Sequence, residues 1–201
     1  MDLQNKTISD IIILVKLFKK WVILLLLQDD VSKHPIIKSI LNSIFSTLSS
    51  VDSEEALRLC EWLSKESEYK RHHYNKTNFP KMPAGLKRGD IIWVEFGINI
   101  GDELSDDGKN GHYAVIWNQQ GYIFNVIPLS SSQKNANSCA VNIGVIQGLP
   151  LNCDSYAKID MMRGIHIRRI RSIKSNPKGK IEIGINEINA IKLKLVEKFI
   201  L

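Results

Sequence analysis

Apolar positions repeat with two different periods along the 201-residue chain. In the first third they recur every three or four residues, the spacing of a helix face. Ile11 to Leu27 is apolar apart from Lys16, Lys19 and Lys20, with Ser9 or Asp10 as its N-cap. His34-Pro35 restarts the chain, and Ile36, Ile37, Ile40, Leu41, Ile44, Phe45 and Leu48 form the next stripe. Asp52 is placed to cap a further helix, and Glu55 three residues later completes a capping box. Ala56, Leu59, Cys60 and Leu63 would be that helix's buried face. From Glu68 to Lys87 the pattern collapses into a polar run with two prolines and a glycine. The expected layout is a helical region over residues 1–75 and a linker over 76–86.

Beyond the linker the period drops to two. Asp90–Phe96, Tyr113–Trp117, Tyr122–Pro128, Ser138–Ile143, Tyr156–Asp160 and Ile165–Ile170 read as strands, with Lys180–Ile183 a weaker one. Asn118 to Gly121 reads as a tight turn. Asn186 is the expected cap of a last helix, whose stripe is Ile188, Ile191, Leu195 and Phe199, widened by Leu193, Val196 and Ile200. Short strands closed by one helix describe an α+β domain over residues 87–201, built as a small, strongly bent β-barrel.

Composition narrows the classes. With 44% apolar and 24% charged residues the chain is an ordinary globular one. Cys60, Cys139 and Cys153 have neither disulfide nor zinc spacing, which suits free thiols in a reducing compartment. The three lysines inside Ile11–Leu27 each cost about 2.5–3.5 kcal/mol at a bilayer centre, so no membrane insertion and a cytoplasmic location are expected. His72-His73 has no third ligand nearby and is not read as a metal site. Charge is uneven: residues 1–80 carry 11 Lys/Arg against 10 Asp/Glu, and residues 81–201 carry 16 against 11. From Arg163 to Lys180 there is no acid at all, a run that suits a polyanionic partner or a solvated basic loop.

Five pieces in order resemble one family. Arg88-Gly89-Asp90-Ile91-Ile92-Trp93-Val94 is followed by Gly101-x-Glu103, then by His112-Tyr113-Ala114-Val115-Ile116. Val126-Ile127-Pro128-Leu129-Ser130-Ser131 comes next, and Ser155 to Arg163 with Arg169-Ile170 closes the series. This series resembles the PemK/MazF toxins. The resemblance implies an SH3-like barrel, a homodimer, and an endoribonuclease acting on single-stranded RNA. It implies attack by the ribose 2′-hydroxyl, leaving 2′,3′-cyclic phosphate and 5′-hydroxyl ends, with no cofactor and no metal. It also implies a small protein antitoxin as partner. The helical first third has no counterpart in compact members.

Cleavage of this kind needs a group to take the 2′-hydroxyl proton, a charge to neutralise the crowded phosphorane, and a donor for the departing 5′-oxygen. In the family an Arg and a Thr or Ser form the catalytic pair, and the matching positions here are His112 and Ser130. His112 departs from the family's Arg. It either transfers the proton, with Arg163 supplying the charge, or is a loop-end histidine with no task. Glu103 would orient the basic group, while Asp106 and Asp107 read as a solvated loop. Ser131, Arg88, Lys109, Arg168 and Arg169 are assigned to RNA binding, and His166 is a possible second titrating group. Trp93 and Trp117 read as core, and Tyr113 and Tyr122 as exposed stacking surfaces. Two other readings stand beside this one. The barrel is catalytically inactive and binds RNA, DNA or protein, or the helical region acts as an inhibitor or dimerisation module.

Overall fold

A computed structural model of the chain describes residues 34–79, 81–99, 111–132 and 138–200. The chain divides into two compact units, Met1–His73 and Tyr74–Leu201. The predicted helix at Ile11–Leu27, Glu103, Asp106, Asp107 and Lys109 lie outside the described residues. Among the described residues no helix is long and apolar enough to cross a membrane.

In the first unit, α1 spans Pro35–Leu48 and α2 spans Ser53–Tyr74. Pro35 stands at the start of α1, where its missing N–H has no intrahelical partner to lose. Asp52 caps α2 as its position implies: Oδ1 accepts the N–H groups of Glu54 (3.0 Å) and Glu55 (2.9 Å). The box is not closed, because the Glu55 carboxylate turns to Arg58 at 3.2 Å. Of the expected buried face only Ala56 is buried; Leu59 and Cys60 are half-buried and Leu63 is exposed.

The second unit is a sheet closed by a helix. Its strands are β1 (Asp90–Val94), β2 (His112–Gln120), β3 (Ile123–Ser130), β4 (Ala140–Val145), β5 (Asp154–Lys158), β6 (Arg163–His166), β7 (Ile170–Arg171) and β8 (Ile181–Glu182), and α3 spans Ile185–Phe199. The order is β4-β5-β3-β2-β1-β7, with β6 on β3 and β8 on β1, every pairing antiparallel. The whole is an α+β fold: an SH3-like barrel left open between β4 and β7, with a C-terminal helix, and a helical region before it in the chain.

Strand alternation sorts the apolar residues onto two faces. Ile91, Val115, Ile127, Leu129, Ala157 and Ile159 pack with Ile191 and Leu195 of α3. Ile92, Val94, Phe96, Ala114, Ile116, Phe124, Val126, Ile165 and Ile170 form the other cluster. β3 is the hub, since it pairs with β2 along one edge and with β6 and then β5 along the other. Between β5 and β6 a 3-10 turn, Ile159–Met161, breaks what would be one strand. Pro128, which has no N–H to give, lies in the stretch of β3 facing that break.

Three local expectations give way to specific contacts. The hairpin after β2 turns at Gly121-Tyr122, not over Asn118–Gly121, with Gly121 at φ +58°. A bulge at Trp117 takes up one residue and lets Asn118 pair with Asn125, whose side-chain amide donates to Asn118 Oδ1 at 2.6 Å. The run Ile165–Ile170 is two strands, because His166 Nδ1 accepts the Arg168 N–H (3.2 Å) and starts a 3-10 turn. α3 begins at Ile185 with Gly184 as N-cap, so Asn186 lies inside its first turn.

Each residue of the Arg88-Gly89-Asp90 tripeptide makes a contact within the barrel. Arg88 lies 4.7 Å over the Trp117 ring and donates through Nε to the Trp117 carbonyl at 2.9 Å. Gly89 has φ +87°, and a Cβ there would come within 2.7 Å of Ile188 Cδ1 on α3. Asp90 is fully buried; Oδ2 accepts the Lys87 N–H (2.7 Å) and pairs with Lys180 Nζ (2.8 Å), itself only 9% exposed. Lys180 Nζ also donates to the Gly85 carbonyl at 2.8 Å. Lys180→Met should therefore destabilise the protein by about 3–5 kcal/mol, because it strands a buried carboxylate. Adding Asp90→Asn to Lys180→Met should recover much of that loss, since Asn is neutral and still accepts the Lys87 N–H. Urea unfolding of both variants checks this, and a loss under about 1 kcal/mol for Lys180→Met would sink it.

Candidate active site

His112 opens β2 opposite Val94 of β1, and Ser130 ends β3 opposite Tyr156 of β5. The β2–β3 register pairs Ala114 with Pro128. Carried two residues further, it sets His112 opposite Ser130. Alternation places both on the face that carries Ala114, Ile116, Val126 and Phe124. Arg163 opens β6 opposite Val126 and therefore shares that face. The three residues come from three strands, and two of them, His112 and Arg163, lie beside Phe96. The Phe96 ring is 6.3 Å from the His112 ring, and the Arg163 guanidinium carbon lies 5.7 Å over it.

The five arginines of the barrel differ sharply in what they hold. Arg88 is bonded to the Trp117 carbonyl. Arg168 is buried, donates to the Thr77 and Asn78 carbonyls at 2.8 Å each, and lies 5.2 Å over Phe79. Arg169 donates to the Phe96 carbonyl at 2.8 Å. Arg171 pairs with the buried Glu95 at 2.8 Å and bonds two further carbonyls. Arg163, half-buried, makes only its contact with the Phe96 ring among the described residues. A guanidinium without a hydrogen-bonded acceptor is available to a phosphate.

The geometry therefore sets His112, Ser130 and Arg163 on one face and Arg169 against the same Phe96, while Arg88 and Arg168 lie elsewhere. Arg88 sits by Trp117, five residues along β2 from His112 and thus roughly 17 Å away at about 3.4 Å per residue. Arg168 cross-links the segment before the barrel rather than facing outward. Ser131 is exposed just past β3, and the Ser130 hydroxyl accepts the Ser132 N–H at 3.2 Å, a turn contact. Trp93 is half-buried and meets Tyr113 edge-on at 4.9 Å, so Tyr113 belongs to the core rim. Burial pushes the Tyr113 phenol above its ordinary pKa. Tyr122 is 58% exposed at the hairpin, 6.1 Å from the His166 ring.

Next to Arg163 lies a cleft of about 320 Å³ lined by Phe96, Asn99, Arg163, Gly164, Ile165, His166 and Arg169. Sequence reasoning missed Phe96 and Asn99. Phe96 reads as one more apolar residue of a strand, and only the structure shows that Arg163, Arg169 and His112 all gather at it. Gly111 is a second omission, and its signal is a glycine directly before His112. It has φ +153°, and a Cβ there would lie 2.7 Å from both Trp93 Cε2 and the Val94 carbonyl.

A sequence model of the PemK-like, MazF-like toxins of type II toxin–antitoxin systems matches residues 87–196. A search of curated proteins finds no match to the chain.

Gly111→Ala should cost about 1–3 kcal/mol, the range for overpacking a tight site. It should also move Trp93 and with it the start of β2. Thermal unfolding with tryptophan fluorescence reads both effects; an unchanged midpoint and spectrum would refute the close approach.

Proposed function

Since the chain belongs to the PemK-like, MazF-like toxins of type II toxin–antitoxin systems, a family of endoribonucleases, we propose that it cleaves single-stranded RNA through the ribose 2′-hydroxyl. The observation that carries this reading is Arg163: the barrel arginine with no hydrogen-bonded acceptor among the described residues shares a face with His112, and both lie beside the Phe96 ring. Internal cleavage supplies its own nucleophile from the substrate, so the protein has only to move protons and hold charge.

In the proposed mechanism neutral His112 takes the 2′-hydroxyl proton as that oxygen bonds to phosphorus. Arg163 neutralises the phosphorane, and the Ser130 hydroxyl holds a non-bridging oxygen. The P–O5′ bond then breaks, and the imidazolium returns its proton to O5′. The products are a 2′,3′-cyclic phosphate and a 5′-hydroxyl, and no redox partner is needed. Glu103 is assigned to orient the imidazole, and Lys109 and Ser131 to flanking phosphates. A histidine in place of the family's arginine suits this division, because histidine shuttles a proton near neutral pH whereas arginine stays charged. Arg163 then carries the charge that an arginine at position 112 would carry. Membership of a type II family implies a protein antitoxin as partner. A homodimer and a cytoplasmic place of action complete the proposal.

The test is cleavage of a long single-stranded RNA in excess EDTA, with end mapping. Wild type should leave 5′-hydroxyl ends at a short recurring motif. His112→Ala should lose roughly 10²–10⁴-fold in rate, and Arg163→Ala about 10²–10³-fold. Wild-type protein that binds this RNA and leaves it whole would overturn the assignment in favour of an inactive binding barrel.

A further inference from the structure

Two aromatic rings stand in solvent although the main chain beneath each is held. Phe79 is 60% exposed and Tyr122 58% exposed. Both are tied to one short element, the 3-10 turn Ile167–Arg169. The Ile167 N–H donates to the Tyr122 carbonyl at 2.8 Å. The Arg168 guanidinium donates to the carbonyls of Thr77 and Asn78, the two residues before Phe79, and lies 5.2 Å from the Phe79 ring. Directly before the turn in the chain, the His166 ring lies 6.1 Å from that of Tyr122. Phe79 comes from the segment ahead of the barrel and Tyr122 from the β2–β3 hairpin, so only the turn relates them.

A single exposed aromatic is ordinary and asks for no ligand. Two rings anchored at one turn are a different case. An anchored ring has lost most of its freedom before a ligand arrives, so stacking on it costs little further entropy. Every base has a π-face, and such rings hold single-stranded nucleic acid whatever its sequence. Charge selects the same occupant. The turn lies within the run from Arg163 to Lys180, which contains no acid. The cores of protein interfaces are depleted of charge, whereas a basic surface suits a phosphate backbone. Position agrees as well. His166 lines the same cleft as Arg163. On β3 these two residues face Ile123 and Val126, so the turn begins about 10 Å along β6 from the proposed reacting centre.

We propose that Phe79 and Tyr122 are stacking platforms for bases of the single-stranded RNA that flank the scissile phosphate, held in place by the turn Ile167–Arg169. The proposal rests on the reading of the barrel as an RNA-binding ribonuclease. It adds to that reading a residue, Phe79, that lies ahead of the family match at residues 87–196. It is tested on the full chain by binding, with short adenosine oligomers whose 2′-oxygens are methylated so that cleavage is impossible. One oligomer is intact, and a second carries abasic units on both sides of its centre. Phe79→Ala and Tyr122→Ala should each weaken binding of the intact strand by roughly five- to a hundredfold. Phe79→Trp and Tyr122→Phe keep a ring and should bind as wild type does. On the abasic strand wild type and both alanine variants should bind equally. Unchanged affinity for the intact strand in both alanine variants overturns the proposal and would assign the rings to a protein partner. An equal loss on intact and abasic strands also overturns it, as a disturbance of the fold. Unmodified RNA below saturation separates the two readings. Equal cleavage by wild type and both alanine variants leaves the ribonuclease and removes the platforms; ring-dependent binding without cleavage does the reverse.

Discussion

A carboxylate shut away from water must be answered by charge, and where β1 begins the answer to Asp90 comes from Lys180, 90 residues further along the chain. The same ammonium holds the Gly85 carbonyl, and the same carboxylate oxygen accepts the Lys87 N–H. One ion pair thus joins the approach to the barrel, its first strand and the turn into β8. Against well-packed apolar replacements such a pair contributes little net stability, but breaking half of it is severe. Its effect is to make one arrangement of β1 and β8 much better than any neighbouring register. With β1 held, Val94 faces His112, and Phe96 follows to the place where the site is built.

The arginines show a division between architecture and chemistry that charge alone conceals. Arg88, Arg168, Arg169 and Arg171 bind main-chain carbonyls, so the acid-free run from Arg163 to Lys180 is largely a set of internal ties. Lys180 is buried in one of them. Arg169 links the two roles, because its bond to the Phe96 carbonyl sets the ring that both His112 and Arg163 touch. Lys174 and Lys178 remain exposed in the loop before β8.

Much of the architecture was legible because it rests on period. The change from a repeat of three and four to a repeat of two separated helices from strands, and Asp52 marked a helix start by a local bond. The turn at Gly121 was misplaced, since a bulge at Trp117 is a property of the pair of strands and leaves no mark on one. The break at Ile167–Arg169 likewise depends on a histidine ring accepting a main-chain N–H. His112, Ser130 and Arg163 stand at strand ends, and the register puts them on one face. Phe96 was not legible, because its role lies in what reaches it from sequence positions 112, 163 and 169. Arg168 was assigned outward for its charge, and only the carbonyls of Thr77 and Asn78 account for its burial.

The 3-10 turn at Ile159–Met161 interrupts the strand that runs opposite β3, and Pro128 faces the gap. Ser130 is tied to the β5 side of that gap and Arg163 to the β6 side. The length of the interruption therefore acts as a spacer between hydroxyl and guanidinium. Since no ladder hydrogen bond crosses Pro128 there, residues can be gained or lost in the turn without unzipping either strand. A barrel of this design can change the distance between two strand-end side chains by a change of loop length alone, with both side chains left as they are.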